Sequence, residues 1–405
     1  MLIDTMPSYT PPIEDRRSPL EPVRVLHVAA SLFAGGMERS LVRLLKHTPE
    51  SMAHDVCILK DGDESLIDQC RGHASTHILH GSRWAWRKLR RISRSTCPKV
   101  VHARGTSAWV DAVLATRGLA DTRLILSFHG RTHIEPVSSR RRWLNRLAAN
   151  RADAVVAVSE DAADMLHREW SIDREKVCVI PNGIDPVYYY PVESHQDKEQ
   201  LRRELGLDEG TVPVLCVANL LPIKGLDVLL AAWRKVCLAD RSAILLIVGE
   251  GPLDKSLCIQ AEQLRCASRV RFLGRREDVP ALLRAAELFV LPSRYEGSSN
   301  ALLEAMACGL PVIATDVGGN REVLDPNRTG WLVPADDAGR LAEMILNTLL
   351  ASAVRQRVGT AAREEILRRF SLKQWIERYH RLYRSVAERK GTVGHGIMEE
   401  LVCAE

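Results

Sequence analysis

The chain has 405 residues, with 56 Lys and Arg against 51 Asp and Glu, a formal charge of +5. That length makes two or three domains with ample core, and 46% apolar with 26% charged residues excludes bulk disorder, collagen-like repeats and low-complexity structure. No apolar run is long enough to predict a membrane-spanning helix, and the first residues lack the basic–apolar–small order of a signal peptide. The ten cysteines are scattered, with no C-x2-C or C-x4-C pair. Several stand in apolar runs, such as Cys178 and Cys216, which predicts buried, reduced thiols in a cytoplasmic protein.

Along the chain, residues 1–21 are rich in Pro and charge and predict a flexible tail. Strands are then expected over 23–29, 54–59, 100–103, 123–128, 154–158 and 177–180, with helical stretches between most of them. Gly35 and Gly36 open the first helix, which runs to about His47. The cluster 181–186, Pro-Asn-Gly-Ile-Asp-Pro, is a turn. The polar segment 193–203 has no sustained apolar character, and a domain junction is placed near it. A second series follows, with strands over 212–218, 243–248, 270–273, 288–291 and 312–315. Its helices are expected over 226–238, 253–266, 279–286 and 300–308, and 337–387 reads as mostly helix. Strand–helix alternation of this kind builds parallel sheets covered on both faces. Two such series predict an α/β fold of two doubly wound, Rossmann-like domains, 22–190 and 191–370. Residues 371–405 are a C-terminal helix packing back on the first domain, and a tail. Ligands of such sheets bind beyond the carboxyl ends of the strands, so two facing sheets make an interdomain cleft.

The segment 292–311 carries the most chemistry. It leaves a predicted strand, turns through Glu296, Gly297, Ser298 and Ser299, and enters a helix at Ser299 or Asn300. Backbone N–H groups and a helix N-terminus then face the carboxyl end of a strand, a setting that favours phosphate. Glu304 falls just over one turn into the helix. Its carboxylate accepts from sugar or ribose hydroxyls and does not pair with phosphate. A capped helix with two surface glutamates is the alternative.

Glu296 and Glu304, followed by Ala305-Met306-Ala307, Gly309-Leu310-Pro311, Gly318-Gly319 and Glu322, resemble the Glu-x7-Glu region of the family-four, or group 1, retaining glycosyltransferases of GT-B fold. The resemblance extends through most of 23–370. It implies that Glu296 contacts the donor sugar and Glu304 the nucleotide ribose. It implies amides from Gly297, Ser298, Ser299, Asn300 and Ala301 on the diphosphate and sugar. Lys224 matches the family's phosphate-binding lysine, and His129 a histidine beside the donor sugar. Asn219 stands where the family usually has an arginine, so charge on the leaving group falls short or comes from an Arg elsewhere. Gly249 matches a glycine-rich loop, and Arg275 ends a stretch whose backbone meets the nucleobase. Gly35 and Gly36 match the glycine loop of the first domain; they do not form the G-x-G-x-x-G nicotinamide fingerprint. His102 and Arg104 are candidates for lining the acceptor side, and Ser159 reads as a helix N-cap.

The expected activity is retaining transfer of a sugar from a nucleotide-diphosphate sugar to a carbohydrate or lipid-linked acceptor hydroxyl. No cofactor and no metal are expected: Asp61 and Asp63 read as a polar loop far from the nucleotide segment. A sugar-nucleotide epimerase, a phosphorylase and a non-catalytic sugar-nucleotide binding protein stay open. The charge adds a hint about the partner. Residues 83–151 hold 16 basic and 3 acidic groups, concentrated around Trp84, Trp86 and Arg87 to Arg94, and around Arg140 to Arg142, Trp143 and Arg146. Arg with Trp and Leu at helical spacing suits an anionic membrane surface at the cytoplasmic face, or an anionic acceptor. Solvated helices with Trp turned inward are the alternative. Nucleic acid is not expected, since no zinc-finger or RNA-binding aromatic motif is present.

Overall fold

The computed structural model describes residues 22–33, 35–131 and 137–388; the tails expected at 1–21 and 389–405 lie outside these. The first half runs β1 (Val23–Ala29), α1 (Gly36–Lys46), β2 (Met52–Ile58), α2 (Glu64–Arg71), β3 (Ser75–Ile78), α3 (Ala85–Thr96), β4 (Val100–Arg104), α4 (Trp109–Thr116), β5 (Arg123–Phe128), α5 (Ser139–Arg151), β6 (Ala154–Ala157), α6 (Glu160–Trp170) and β7 (Val177–Val179). The second runs α7 (His195–Glu204), β8 (Val212–Val217), α8 (Leu226–Ala239), β9 (Ala243–Val248), α9 (Asp254–Gln263), β10 (Val270–Phe272), α10 (Val279–Ala285), β11 (Leu288–Leu291), α11 (Asn300–Ala307), β12 (Val312–Thr315), α12 (Asn320–Val323), β13 (Trp331–Val333), α13 (Ala338–Leu350), α14 (Ser352–Arg369) and α15 (Leu372–Ala387).

The strand orders are β3-β2-β1-β4-β5-β6-β7 and β10-β9-β8-β11-β12-β13, and all pairings are parallel. Each order reverses once, between β1 and β4 and between β8 and β11, which is where doubly wound sheets bind ligands. The molecule is two Rossmann-like domains around a cleft, the GT-B arrangement. Two short edge strands, β3 and β13, add to the expected set. The segment 193–203 is largely helix α7, with Ser194 as N-cap accepting from Asp197 N at 3.1 Å. Its inward face is charged: Arg202 donates to Glu287 at 2.6 Å and Lys198 pairs with the same carboxylate at 2.8 Å. Apolar periodicity therefore gives no sign of it.

Period-two alternation sends Leu26, Val28, Val101 and Ala103 to the face covered by α3 to α6, and Val25 and Val100 to the opposite face. There α15 closes the first sheet with Trp375, Ile376, Tyr379, Leu382 and Tyr383. The chain passes between the domains twice, and the two crossings are bonded side by side: Ile184 N donates to Phe370 O and Leu372 N to Ile184 O, both at 2.8 Å. This pair of adjacent backbone crossings is the natural hinge.

Beneath α15 lie three histidines. His27 Nε2 and His54 Nδ1 stand 3.0 Å apart, and His102 Nδ1 meets the Tyr383 hydroxyl at 2.8 Å. His102 is 0% exposed, so it belongs to the core under α15 and does not line the acceptor side. Burial lowers the pKa of all three. Neighbouring histidines and Arg104 lower His27 and His102 further, while His380 and Arg104 do so for His54, to about 4. His380, on α15 itself, is lowered to about 4 by burial and Arg384. These groups stay neutral when folded and gain protons on unfolding, so stability falls as pH drops below about 6.5, and the loss continues toward pH 4. For His54 alone this is on the order of 2 kcal/mol at pH 5. Hydrogen exchange should show α15 losing protection between pH 7 and pH 5 by more than β8 to β12 do, after correction for intrinsic rates. Equal losses would contradict this account.

Candidate active site

The turn after β11 is fixed before any ligand enters. Ser299 caps α11 by accepting from Leu302 N at 3.3 Å. Glu296 is 5% exposed; its Oε1 accepts from Ser293 Oγ at 2.6 Å and from Lys224 Nζ at 2.7 Å. Lys224 ends the 3-10 turn Pro222–Lys224 after β8. Asn219, in the same loop, and Gly249, after β9, stand side by side. At φ +135°, a Cβ on Gly249 would lie 2.0 Å from Ala218 O, so only glycine fits.

From the first domain, the N-terminal turn of α1 comes to meet that of α11. Asn300 Nδ2 donates to Gly36 O at 3.3 Å, and two turns further along α1 and one turn further along α11 Arg43 pairs with Glu304 at 3.3 Å. The two helix N-termini thus open together, and their partial positive charges add. Glu304 is buried, which pushes its carboxyl pKa up. Arg43, a hydrogen bond from Tyr189, and Arg39 pull the other way. His129, at the end of β5, sets Nε2 3.0 Å from Ser127 Oγ. Burial, and next the Arg104 charge, hold its pKa well below the usual value, so it is a neutral hydrogen-bonding group.

These parts surround one cavity of about 350 Å³, polar in lining and open to solvent. Its walls include Gly35, Gly36, His129, Asn219, Lys224, Gly249, Arg275, Glu296, Gly297, Ser298, Ser299, Asn300, Ala301 and Glu304. Glu38, Arg39, Arg131, Asn182 and Arg276 also line it and were not expected there. Arg104 is not among its walls. It is 1% exposed and donates to Ser40 Oγ at 2.8 Å behind α1.

The loop holding Asp61 and Asp63 is not remote. Asp63 pairs with Arg275 at 3.2 Å across the cleft, while Asp61 turns away to His80 at 2.9 Å. Glu322 has a role the sequence did not suggest. Its carboxylate accepts from Glu160 N and Asp161 N, each at 2.8 Å, and so caps α6 of the opposite domain. Ser159 caps the same helix through Ala162 N at 3.1 Å. Among the described residues no three His, Cys, Asp or Glu side chains converge as a metal site.

The arrangement suits an elongated ligand with an anion at its middle and hydroxyls on either side. Helix N-termini and amides are suited to an anion, and Glu304 on one side and Glu296 with His129 on the other are groups that can bond hydroxyls. Closure relies on bare backbone: a Cβ on Gly297 would stand 2.6 Å from His129 O and 3.0 Å from Gly130 Cα. Gly297→Ala should therefore hold the domains apart. The expected result is at least about a tenfold loss of turnover with a thermal midpoint within a few degrees of wild type, checked by steady-state kinetics and calorimetry.

Two family models match adjoining parts of the chain: "Glycosyltransferase Family 4" over residues 34–188 and "Glycosyl transferases group 1" over 197–365. Among curated relatives, the N-acetyl-alpha-D-glucosaminyl L-malate synthase of Bacillus anthracis is 29% identical over 65% of this chain and 68% of its own length. The GDP-mannose-dependent monoacylated alpha-(1-6)-phosphatidylinositol monomannoside mannosyltransferase of Corynebacterium glutamicum is 35% identical over 46% of this chain; the chain spans only 50% of that relative. The crystal structure of HepE from Anabaena in complex with UDP superposes with a TM-score of 0.80 at 23% identity. It covers 89% of this chain and 100% of its own, a likeness of fold.

Proposed function

The chain belongs to the group 1, family-four glycosyltransferases, and from that footing we propose that it moves a sugar from a nucleotide-diphosphate donor to an acceptor hydroxyl with retention of configuration. The observation that carries this reading is the shared opening of the α1 and α11 N-termini beside Lys224 and Glu296. Donor lies on the second domain, with ribose hydroxyls at Glu304, diphosphate at the amides of 297–301 and Lys224, and sugar hydroxyls at Glu296 and His129. The bond from C1 to the phosphate oxygen breaks, and its electrons go to the diphosphate. The acceptor oxygen, arriving from the first domain, bonds to C1 on the same face. The acceptor proton leaves to a phosphate oxygen. Retention without a covalent enzyme intermediate agrees with Glu296 being engaged by Lys224 and Ser293, not free as a nucleophile. Charge on the leaving group is met by oriented donors in a site that closes against water.

A sugar-nucleotide panel tests this. One of the UDP-, GDP- or ADP-sugars should raise the melting temperature, because ligand bound only to the folded state stabilises it. Lys224→Ala should weaken that binding by about 1.5–3 kcal/mol, the cost of a charged hydrogen bond, and Glu296→Ala should abolish sugar transfer. Conversion of the donor to another sugar nucleotide without acceptor would favour an epimerase. Binding with neither transfer nor hydrolysis would favour a binding protein.

We further propose that the acceptor is lipid-linked and met at the cytoplasmic membrane face, as in cell-surface polysaccharide or glycolipid assembly. Trp84 before α3 and Trp143 on α5 are 56% and 59% exposed, so they do not pack inward. Leu114 on α4, which packs between those helices, is exposed too. Arg87 stacks on Trp84 at 4.3 Å. Outward Trp and Leu among dense Arg match an anionic interface. Among the described residues no helix is long and apolar enough to cross a membrane, so the contact would be peripheral. Co-sedimentation at low salt should show binding to phosphatidylglycerol vesicles, little to phosphatidylcholine vesicles, and a loss in the Trp84→Ala/Trp143→Ala double variant. Equal binding to both lipids would remove the proposal.

A further inference from the structure

Five cationic side chains line the cavity: Arg39, Arg131, Lys224, Arg275 and Arg276. Four of them already have carboxylates. Lys224 holds Glu296 at 2.7 Å, Arg275 holds Asp63 at 3.2 Å, Arg276 holds Asp278 at 2.6 Å, and Arg131 holds Glu169. Arg39 is the exception: among the described residues its side chain has neither an ion-pair partner nor a hydrogen bond. It stands in the first turn of α1, one turn nearer the helix N-terminus than Arg43. Arg43 marks the Glu304 end of the cleft, and Gly36, three residues before Arg39, meets Asn300 at the start of α11. Arg39 therefore lies on the α1 side of the point where the two N-termini open.

We infer that Arg39 is the guanidinium that binds the diphosphate and takes up its charge as the sugar departs. The inference rests on the nucleotide-diphosphate reading above. On the second domain, Lys224 is neutralised by Glu296, Arg276 by Asp278 and Arg275 by Asp63 of the first domain, and Asn219 brings no charge, so in the closed molecule that wall offers amides and a helix terminus but no unpaired cation. A diphosphate leaving group gains a full negative charge when the C1–O bond breaks and its electron pair passes to the phosphate oxygen. The planar fork of an arginine matches two phosphate oxygens at once. Because Arg39 belongs to the first domain, this charge arrives only when the domains are closed. Donor held by an open molecule lacks it, which guards the sugar nucleotide against hydrolysis before the acceptor is in place.

The test is calorimetric titration with the pairs UDP/UMP, GDP/GMP and ADP/AMP, in wild type, Arg39→Ala, Arg39→Gln, and Arg39→Ala combined with Asn219→Arg. For the base that wild type prefers, both single variants should bind the diphosphate about tenfold to a hundredfold more weakly, the effect of one charged hydrogen-bonding group. They should bind the monophosphate nearly as wild type does. Asn219→Arg, which places a guanidinium on the opposite wall, should recover most of the loss, as no merely structural defect would allow. Diphosphate affinity within twofold of wild type in both single variants would overturn the assignment. So would an equal loss for mono- and diphosphate, or a lack of recovery in the double variant. If wild type binds none of the three diphosphates, the donor reading itself fails, and the role of Arg39 falls with it.

Discussion

Two helices from different domains point their N-termini at one spot, and the molecule is organised around that constraint. Partial positive charges brought together across a cleft repel, so the meeting of α1 and α11 needs support from elsewhere. Besides the Asn300–Gly36 bond at the meeting point, three pairings among the described residues support it. Arg43, two turns into α1, pairs with Glu304, one turn into α11. Asp63 holds Arg275. Glu322 caps α6 from the opposite domain with two amide bonds. Each joins a group of one domain to a group of the other. They ring the opening and leave its centre to solvent. An anion placed there relieves the repulsion that the ring restrains, so binding and closure favour the same geometry.

The rest of the architecture makes that closure a small motion. The two interdomain crossings, at Ile184 and around Ser371, are hydrogen-bonded to each other, so a rotation there moves both chains together. Gly183 lies against the Trp375 ring, which ties the hinge to α15 and so to the first sheet. On the other side, Arg363 donates to Pro186 O, Tyr189 O and Ala307 O, fastening the departing chain to the second domain. Tyr189 in turn hydrogen-bonds Glu304. A single segment, 183–190, therefore reaches from the hinge to the Glu304 carboxylate in the cleft. Domain angle and the position of the Glu304 carboxylate are mechanically connected, through packed groups with identifiable bonds.

Most of the fold was legible because strands buried on both faces read as short apolar runs, and those runs carry their own boundaries. The elements missed lack that signature. β3, Ser-Thr-His-Ile, is an edge strand of mixed polarity. β13 has three residues. α7 turns a salt-bridged face inward. The site was legible for a related reason. A strand that runs into a Gly/Ser turn and a capped helix has only one place to put its amides, at the sheet's carboxyl edge. What sequence could not reveal were pairings between domains. Arg43 with Glu304 and Asp63 with Arg275 are separated by 261 and 212 positions, and no local pattern records which surfaces meet. His102 and Arg104 show the reverse error. A polar residue near the carboxyl end of a strand looks like a ligand group, but α15, returning from the far end of the chain, covers one and α1 the other.

The distribution of charge in the cavity explains why two domains are used at all. On the second-domain wall Lys224 and Glu296 cancel, so under the proposed function that wall would recognise a sugar nucleotide by shape, amides and hydroxyl acceptors. It grips without strongly favouring the moment when the sugar leaves. Groups that bind ground state and transition state alike hold substrate but do not speed the chemical step. The facing wall carries Arg39, whose side chain has no ion-pair partner among the described residues, beside the Glu38 carboxylate and the α1 terminus. On the proposed reaction, charge that develops on the leaving diphosphate would therefore be met by the domain that also presents the acceptor. That proposal puts recognition and acceleration on separate bodies joined by a hinge. Such a division suits a reaction in which water is a competing nucleophile, because the half that binds the donor alone is the half least able to activate it.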